Sequence, residues 1–288
     1  MPYQIIFFGS FGNCSVSILD SLLKAKSFKL QAVITTPPAP KGRHLHITPN
    51  EVQVYSEKHN IPCYPLEKLE PVLQLETDFI IVSGYGKLIP KPWLDLPKIM
   101  AVNMHPSLLP QYPGRCPAEW AILNGETETG VTLIQMTEKF DAGPILVQEK
   151  IAIQPDDTRL TLYTKLFDLG AKMLIDTLPQ LASGSIHPSS KSIVNRPSSI
   201  IYAKQITRQD GFLPWNEFFQ VISNIQNSIP NKLNIEHWTL DIERKLKAFA
   251  GWPGVWTINP DGKRIKLISL EPQILIQEES KSPTPWLH

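Results

Sequence analysis

The sequence predicts an α/β protein with a doubly wound, mostly parallel sheet and a smaller β domain near the C-terminus. Apolar segments with the length of buried strands alternate with segments of helical periodicity, which is typical of parallel sheets covered by helices. Turns containing glycine, proline and polar residues follow several of the apolar segments, as expected where strands end. Near the C-terminus, short strand candidates follow one another without long helical segments between them.

The elements of the main domain are predicted in a regular order. Residues 4–9 form an apolar run that ends in glycine, and Val16, Leu19, Leu22 and Leu23 then recur at helical spacing. The remaining predictions are, in order, a strand at 30–35, a proline-rich loop at 37–40, a helix at 51–59, a short apolar segment at 61–64, strands at 79–82, 130–136 and 144–153, and a helix at 160–181.

A change of composition after the last of these helices marks the predicted domain boundary. Serine and proline become frequent between residues 182 and 199. We therefore predict a catalytic domain at 1–184, a linker at 185–204 and a C-terminal domain at 205–288. The C-terminal domain contains a helix candidate that carries Ile242, Leu246 and Phe249, and strand candidates at 255–258, 264–270 and 274–277 that predict a small, partly open β-barrel.

Composition and charge narrow the class of protein. The chain has 288 residues, of which 42% are hydrophobic and 19% are charged, as in globular proteins. No apolar run reaches the roughly 18 residues of a membrane span, and the N-terminus lacks a basic segment and a cleavage-site pattern. We therefore expect no membrane contact and a cytoplasmic location. The formal net charge of +1 is not that of a dedicated nucleic-acid binder, so RNA contacts would need local basic patches.

Two segments carry the candidate chemistry. Asn103 and His105 alternate along a strand candidate and therefore project to the same side, and Asp141 stands in a turn much further along the chain. A carboxamide can stabilise an oxyanion, an imidazole can move a proton and a carboxylate can orient that imidazole. The three residues together predict transfer or hydrolysis of an acyl group. The three widely spaced cysteines form no zinc set, and we expect no metal.

Each of these residues also has an ordinary structural interpretation. Asn103 could cap a turn before His-Pro, and Asp141 before Ala-Gly is a common turn residue. Ser107 is poorly placed as a nucleophile for a histidine two residues away, and no GxSxG segment occurs. We expect Ser107 to donate a turn hydrogen bond or to contact a ligand.

The segment from Asn103 to Pro110 (NMHPSLLP), together with Asp141 to Leu146 (DAGPIL), resembles the folate-dependent formyltransferases. The resemblance implies catalytic roles for Asn103, His105 and Asp141 and makes 10-formyltetrahydrofolate the co-substrate. It also implies contacts to the folate from two strand-end segments, with the residues Ser107, Leu108, Leu109, Pro110, Gly84, Tyr85, Gly86 and Leu88.

Further segments are similar to the branch of this family whose acceptor is initiator methionyl-tRNA, among them GVTLIQM at 130–136 and YAKQITRQDG at 202–211. The resemblance implies a Rossmann-like catalytic domain and an abbreviated OB-like C-terminal domain that binds tRNA. Lys41, Arg43, Lys204 and Arg208 are the expected tRNA contacts, and we expect a monomer. Two alternatives stay open: a folate-dependent enzyme that formylates a small amine such as an amino sugar nucleotide, and a catalytically silent RNA-binding relative.

Overall fold

The largest sheet among the described residues has seven strands. The computed structural model describes residues 1–41, 45–68, 70–189, 200–226, 232–270, 274–278 and 281–285. The elements up to residue 182 are β1 (Tyr3–Phe8), α1 (Gly12–Lys24), β2 (Phe28–Ile34), β3 (Ala39–Lys41), β4 (His46–Thr48), α2 (Glu51–Lys58), β5 (Cys63–Tyr64), α3 (Glu70–Leu73), β6 (Phe79–Ser83), α4 (Lys91–Leu94), β7 (Met100–His105), α5 (Pro117–Leu123), β8 (Glu128–Gln135), β9 (Ile145–Ala152) and α6 (Arg159–Ala182). They are followed by a 3-10 helix (Arg208–Gly211), α7 (Trp215–Gln226), α8 (Lys232–Ala248), β10 (Val255–Ile258), β11 (Arg264–Ser269), β12 (Leu275–Glu278) and β13 (Thr284–Pro285).

The chain divides into two compact units. Unit 1 consists of residues Met1–Arg115, Thr129–Ile151 and Tyr163–Tyr202, and unit 2 of Cys116–Glu128, Ala152–Leu162 and Ala203–His288. Unit 2 therefore includes two internal segments in addition to the C-terminal region. These units describe packing, and the functional boundaries at 184 and 204 stay a prediction.

The sheet of unit 1 has the strand order β5-β2-β1-β6-β7-β8-β9. The first five strands of this order pair in parallel, while β8 runs antiparallel to β7. This Rossmann-like arrangement confirms the predicted α/β fold with a mostly parallel sheet. Parallel pairing places the carboxyl ends of β1, β6 and β7 at one edge, where open α/β sheets bind their ligands.

The central strand β1 is buried on both of its faces. All four residues of the segment Ile5–Phe8 have no exposed surface, as expected of a parallel strand covered on both sides. The even-numbered side chains, Ile6 and Phe8, pack in one cluster with Ile80 and Trp93. This burial anchors the strand whose carboxyl end contributes to the ligand edge.

The prediction of a loop at 37–40 is wrong for its second half. Ala39–Lys41 forms β3, which pairs antiparallel with β4, and Pro40 lies opposite Ile47. Proline lacks the N–H that a central strand needs, but a two-stranded ribbon leaves one edge unpaired and tolerates it. The proline-rich composition therefore concealed a short hairpin.

Unit 2 contains an antiparallel sheet with the order β10-β11-β12-β13. Its first three strands confirm the strand predictions in this region, whereas β13 and helix α7 were not predicted. The predicted helix around Ile242 ends at Ala248, one residue before Phe249. The described residues thus show a small antiparallel sheet where the sequence predicted a partly open barrel. Over the described ranges, no helix has the length and apolar character needed to cross a membrane.

A partly buried ion pair connects three segments of unit 2. Arg159, at the start of α6, lies 3.1 Å from the Glu119 carboxylate on α5 and donates through Nε to the carbonyl oxygen of Ala250 at 2.8 Å. Glu119 is almost fully buried. Removing one member of such a pair leaves the other member's charge less well compensated.

We predict that Arg159→Met lowers the free energy of unfolding by about 3–5 kcal/mol in urea denaturation of the full chain, because Glu119 loses the charge that faces it. The double variant Arg159→Met/Glu119→Leu should lose less than Arg159→Met alone. The matched control is Lys98→Met, which removes an exposed pair with Glu76 of the same 3.1 Å length and should cost less than about 1 kcal/mol. Equal losses for Arg159→Met and Lys98→Met would contradict the prediction.

Candidate active site

Two of the predicted catalytic residues lie at the carboxyl end of β7. Asn103 and His105 alternate along the strand and pair in register with Ile134 and Thr132 of β8, so their side chains share one face of the sheet. His105 is the last residue of β7 and is 4% exposed. The strand therefore presents an amide and an imidazole together at the ligand edge.

Asp141 reaches this edge from the loop between β8 and β9. Its Oδ1 lies 3.4 Å from Nδ1 of His105 and 3.5 Å from Nδ2 of Asn103, while its Oδ2 accepts the N–H of Gly114 at 2.8 Å. Gly143 allows the loop to return, because a Cβ atom there would lie 1.7 Å from the carbonyl oxygen of Gln135. The structure thus brings together the three residues that the sequence singled out.

The other ring nitrogen of His105 has a fixed partner. Nε2 lies 3.0 Å from the carbonyl oxygen of Tyr112. A carbonyl oxygen only accepts hydrogen bonds, so Nε2 must carry a hydrogen in this arrangement. Nδ1 then faces the Asp141 carboxyl group, and the contact is favourable only when a proton lies between the two. The Asp141 carboxyl group is therefore the neighbour of the second ring nitrogen, Nδ1, at 3.4 Å.

Two site residues adopt the left-handed backbone conformation, which is uncommon outside glycine. Tyr112 has a φ of 55° and Asp141 has a φ of 48°. Such residues persist only where surrounding contacts hold them, and they concentrate at functional sites. Both of these residues accept a hydrogen bond in the site: the Tyr112 carbonyl from Nε2 of His105, and the Asp141 carboxylate from the N–H of Gly114. Sequence reasoning missed Tyr112, because its contribution comes from the main chain; the Pro-Gly that follows it was the available turn signal.

The segment Ser107–Pro110 follows His105 directly. The Ser107 side chain is buried, and its hydroxyl donates to the carbonyl oxygen of Gln111 at 2.7 Å, so the expected turn hydrogen bond is present. Leu109 is buried and packs against Ile134. Leu108 and Pro110 are half-buried. Of the predicted folate-contacting residues in this segment, these two therefore retain side-chain surface for a ligand.

The second predicted folate segment follows β6. Gly84 and Gly86 have φ angles of 65° and 66°, and a Cβ at Gly84 would lie 2.5 Å from Phe11, so both positions favour glycine. Leu88 is exposed. Tyr85 is buried, its hydroxyl has no hydrogen-bond partner among the described residues, and burial raises the pKa of Tyr85 to about 12. Tyr85 therefore stays neutral and acts as a packing residue with one unfilled polar atom.

The predicted tRNA contacts Lys204 and Arg208 share one arrangement in unit 2. The Lys204 ammonium lies 5.6 Å from the ring centre of Trp120, and the indole N–H of Trp120 donates to the Lys204 carbonyl at 3.0 Å. Arg208 lies over Trp256 at 5.5 Å, and that indole N–H donates to the Arg208 carbonyl at 3.1 Å. In both cases the cation lies over an indole ring, and the N–H of that ring donates to the carbonyl oxygen of the same basic residue.

The other two predicted tRNA contacts are placed less fully. Lys41 is the last residue of β3, and Arg43 lies outside the described residues. Sequence reasoning missed both tryptophans as partners of the cations, since they are distant in the chain. Within the described part of the chain, no group of three or more His, Cys, Asp or Glu side chains could hold a metal ion.

The chain matches a protein-family model and is similar in sequence to known enzymes. The family model described as "Formyl transferase" matches residues 3–178. The methionyl-tRNA formyltransferase of Listeria innocua is 37% identical over 227 residues, which cover 77% of this chain and 70% of the relative. The enzyme of the same name from Staphylococcus epidermidis is 36% identical over 255 residues, covering 86% of this chain and 79% of the relative.

Solved structures extend the comparison of folds. Phosphoribosylglycinamide formyltransferase from Bacillus halodurans has a TM-score of 0.52 at 29% identity, covering 63% of this chain and 96% of its own. A sugar N-formyltransferase from Shewanella sp. has a TM-score of 0.61 at 17% identity, and the match covers 92% of this chain and 96% of the Shewanella chain. HypX from Aquifex aeolicus, in complex with tetrahydrofolic acid, has a TM-score of 0.60 at 17% identity, and the match covers 93% of this chain and 38% of HypX. The last two similarities concern the fold alone.

We predict that Nε2 of His105 carries a hydrogen, because the Tyr112 carbonyl accepts it. The ¹⁵N chemical shifts and one-bond ¹H couplings of the labelled imidazole ring measure this directly. In Asp141→Asn, whose amide can donate to Nδ1, the hydrogen should stay on Nε2. A ring that carries hydrogen only on Nδ1 in the wild type would contradict the assignment.

Proposed function

We infer the function from a family relationship: the chain belongs to the formyl transferase family. We propose that it transfers the formyl group of 10-formyltetrahydrofolate to the amino group of methionyl-tRNA in translation initiation. The observation that carries the proposal is the convergence of Asn103, His105 and Asp141 at the carboxyl edge of a Rossmann-like sheet.

The reaction needs stabilisation of a negative oxygen. When an amine attacks a formyl carbon, the carbonyl oxygen becomes negatively charged, and a preorganised donor near it lowers the barrier. Nδ2 of Asn103 carries two hydrogens, and the contact to Asp141 at 3.5 Å uses one of them weakly. The second hydrogen is the proposed oxyanion donor.

The reaction also needs proton transfer. The acceptor nitrogen forms a bond to the formyl carbon and gives up a proton, while the bond from that carbon to N10 of the folate breaks and N10 takes a proton. Because Nε2 of His105 is bound to the Tyr112 carbonyl, the pair of His105 Nδ1 and Asp141 Oδ1 is the proposed site that holds the proton between these events.

Donor binding is proposed for the two strand-end segments predicted from sequence. Leu108 and Pro110 on one side and Gly84, Gly86 and Leu88 on the other retain exposed or half-exposed surface beside the ligand edge. Buried Ser107, Leu109 and Tyr85 would support these segments from below. The family relationship supports a folate donor, and the 10-formyl form supplies the group that the site is suited to transfer.

The acceptor is proposed from the relatives. Those named methionyl-tRNA formyltransferase are 36% and 37% identical over most of this chain, whereas the sugar N-formyltransferase shares the fold at 17% identity. In unit 2, the ring-supported cations Lys204 and Arg208 have the character of phosphate contacts. Arg264 lies over the same Trp256 ring at 4.6 Å, which adds a second cation at this ring.

Further features of the protein belong to the proposal. The antiparallel sheet β10–β13 would be part of an OB-like tRNA-binding domain, and Lys41 and Arg43 would contact the acceptor end. The functional division at 184 and 204 would separate catalysis from tRNA binding. We propose that the protein acts as a cytoplasmic monomer without a metal.

We predict that the purified full chain, given 10-formyltetrahydrofolate, formylates initiator methionyl-tRNA and not amino sugar nucleotides. Asn103→Ala should lower the rate about 10²–10³-fold, because one oxyanion donor is lost, and should leave the circular dichroism spectrum unchanged. Mass spectrometry of the discharged methionine and of the nucleotide measures both acceptors. Formylation of the sugar alone would overturn the proposed acceptor, and no turnover with either would favour a silent RNA-binding relative.

We predict that Arg208→Gln weakens binding of methionyl-tRNA several-fold and lowers the slope of log K against log salt by about 1, because one phosphate contact is lost. Its KM for the folate should not change. Lys24→Gln is the matched control, since Lys24 is an exposed cation on α1 of unit 1. Equal effects of the two substitutions on tRNA affinity would exclude a specific role for Arg208.

A further inference from the structure

A single hydroxyl group holds the main chain that follows His105. The Thr132 hydroxyl on β8 donates to the carbonyl oxygen of Ser107 at 2.6 Å and accepts the N–H of Leu109 at 3.0 Å. It also accepts from Nε2 of Gln148 on β9 at 2.8 Å. A threonine hydroxyl offers one hydrogen and two acceptor positions. The loop and Gln148 therefore use the whole hydrogen-bonding capacity of Thr132.

Gln148 completes this connection from the neighbouring strand. Its Nε2 donates to the carbonyl oxygen of Leu109 at 2.6 Å as well as to Thr132, which accounts for both of its hydrogens. Gln148 lies in an exposed part of β9, where water could satisfy the amide. The two inward bonds instead connect the loop to β9.

The loop depends on these bonds because its own backbone supplies few. Leu109 is buried, so its N–H and its carbonyl oxygen both need partners. The N–H is satisfied by Thr132 and the carbonyl by Gln148, in place of a helix or a strand ladder. The Leu108 side chain lies against Gly130, where a Cβ would approach it to 2.6 Å. The position of Ser107–Pro110 is thus set by β8 and β9.

We propose that Gln148 and Thr132 are positioning residues for the formyl donor: they hold Ser107–Pro110 in the arrangement that binds the folate. This inference rests on the proposed function, in which that segment contacts the donor. Thr132 is the cross-strand neighbour of His105, but the hydrogen bonds of the Thr132 and Gln148 side chains go to Ser107, to Leu109 and to each other. Their loss should therefore weaken donor binding and leave the affinity for the acceptor unchanged.

The test compares Gln148→Glu, Thr132→Val and Thr132→Ser in the full chain. Gln148→Glu keeps the shape of the side chain but cannot donate to the Leu109 carbonyl. We expect the Kd for tetrahydrofolate, measured by calorimetry, and the KM for 10-formyltetrahydrofolate to rise about tenfold in Gln148→Glu and at least as much in Thr132→Val. The KM for methionyl-tRNA should stay at the wild-type value, and the Leu109 amide should exchange with solvent faster.

Two controls separate positioning from general damage. Thr132→Ser keeps the hydroxyl and should retain the donor affinity of the wild type. Glu149→Gln makes the opposite isosteric change at the adjacent exposed position of β9 and should leave the Kd for tetrahydrofolate unchanged. An unchanged Kd for tetrahydrofolate in Gln148→Glu, or equal changes in donor and acceptor KM, would overturn the inference. Tetrahydrofolate binding without transfer to either acceptor would contradict the proposed function alone, and a wild type that does not bind tetrahydrofolate would contradict both.

Discussion

The carboxylate of Asp141 is the contact on which the arrangement of the site depends. One oxygen accepts the N–H of Gly114, and the other faces both Asn103 and His105. The loop after β8 and the loop after β7 are therefore connected through a single side chain. A charged acceptor forms stronger hydrogen bonds than a neutral one, which suits a group that must hold two loops and contact Asn103 and His105 at the same time.

This connection explains why the backbone at the site is unusual. Left-handed conformations at Tyr112 and Asp141 each cost on the order of 1–3 kcal/mol, and such a cost is tolerated only when several contacts offset it. The Tyr112 carbonyl accepts from Nε2 of His105 and from the Ser107 hydroxyl. The strain and the hydrogen bonds therefore belong to one network that orients the imidazole.

The sequence predicted the parts of this network that are side chains, and it missed the parts that are main chain. Asn103, His105 and Asp141 were identified because their chemistry depends on residue type, and the strands on both sides were identified because buried parallel strands form long apolar runs. The Tyr112 carbonyl could not be recognised, since any residue supplies one. Thr132 was overlooked inside an apolar strand, although a buried polar residue there was a usable signal. The hairpin β3–β4 was missed because prolines indicate a loop unless they lie on the unpaired edge of a strand, and the sequence does not show which edge of a strand is unpaired.

The same geometry limits how the proposed reaction can proceed. With Nε2 committed to a main-chain carbonyl, His105 can exchange a proton only through Nδ1, which lies against Asp141. A general base must lie within hydrogen-bond reach of the proton that it removes. An acceptor amine would therefore have to approach on the side of the Asp141 carboxylate, with the formyl oxygen directed towards Nδ2 of Asn103. The pair of His105 Nδ1 and Asp141 Oδ1 would then take up the proton, while the Tyr112 carbonyl would hold the imidazole in place.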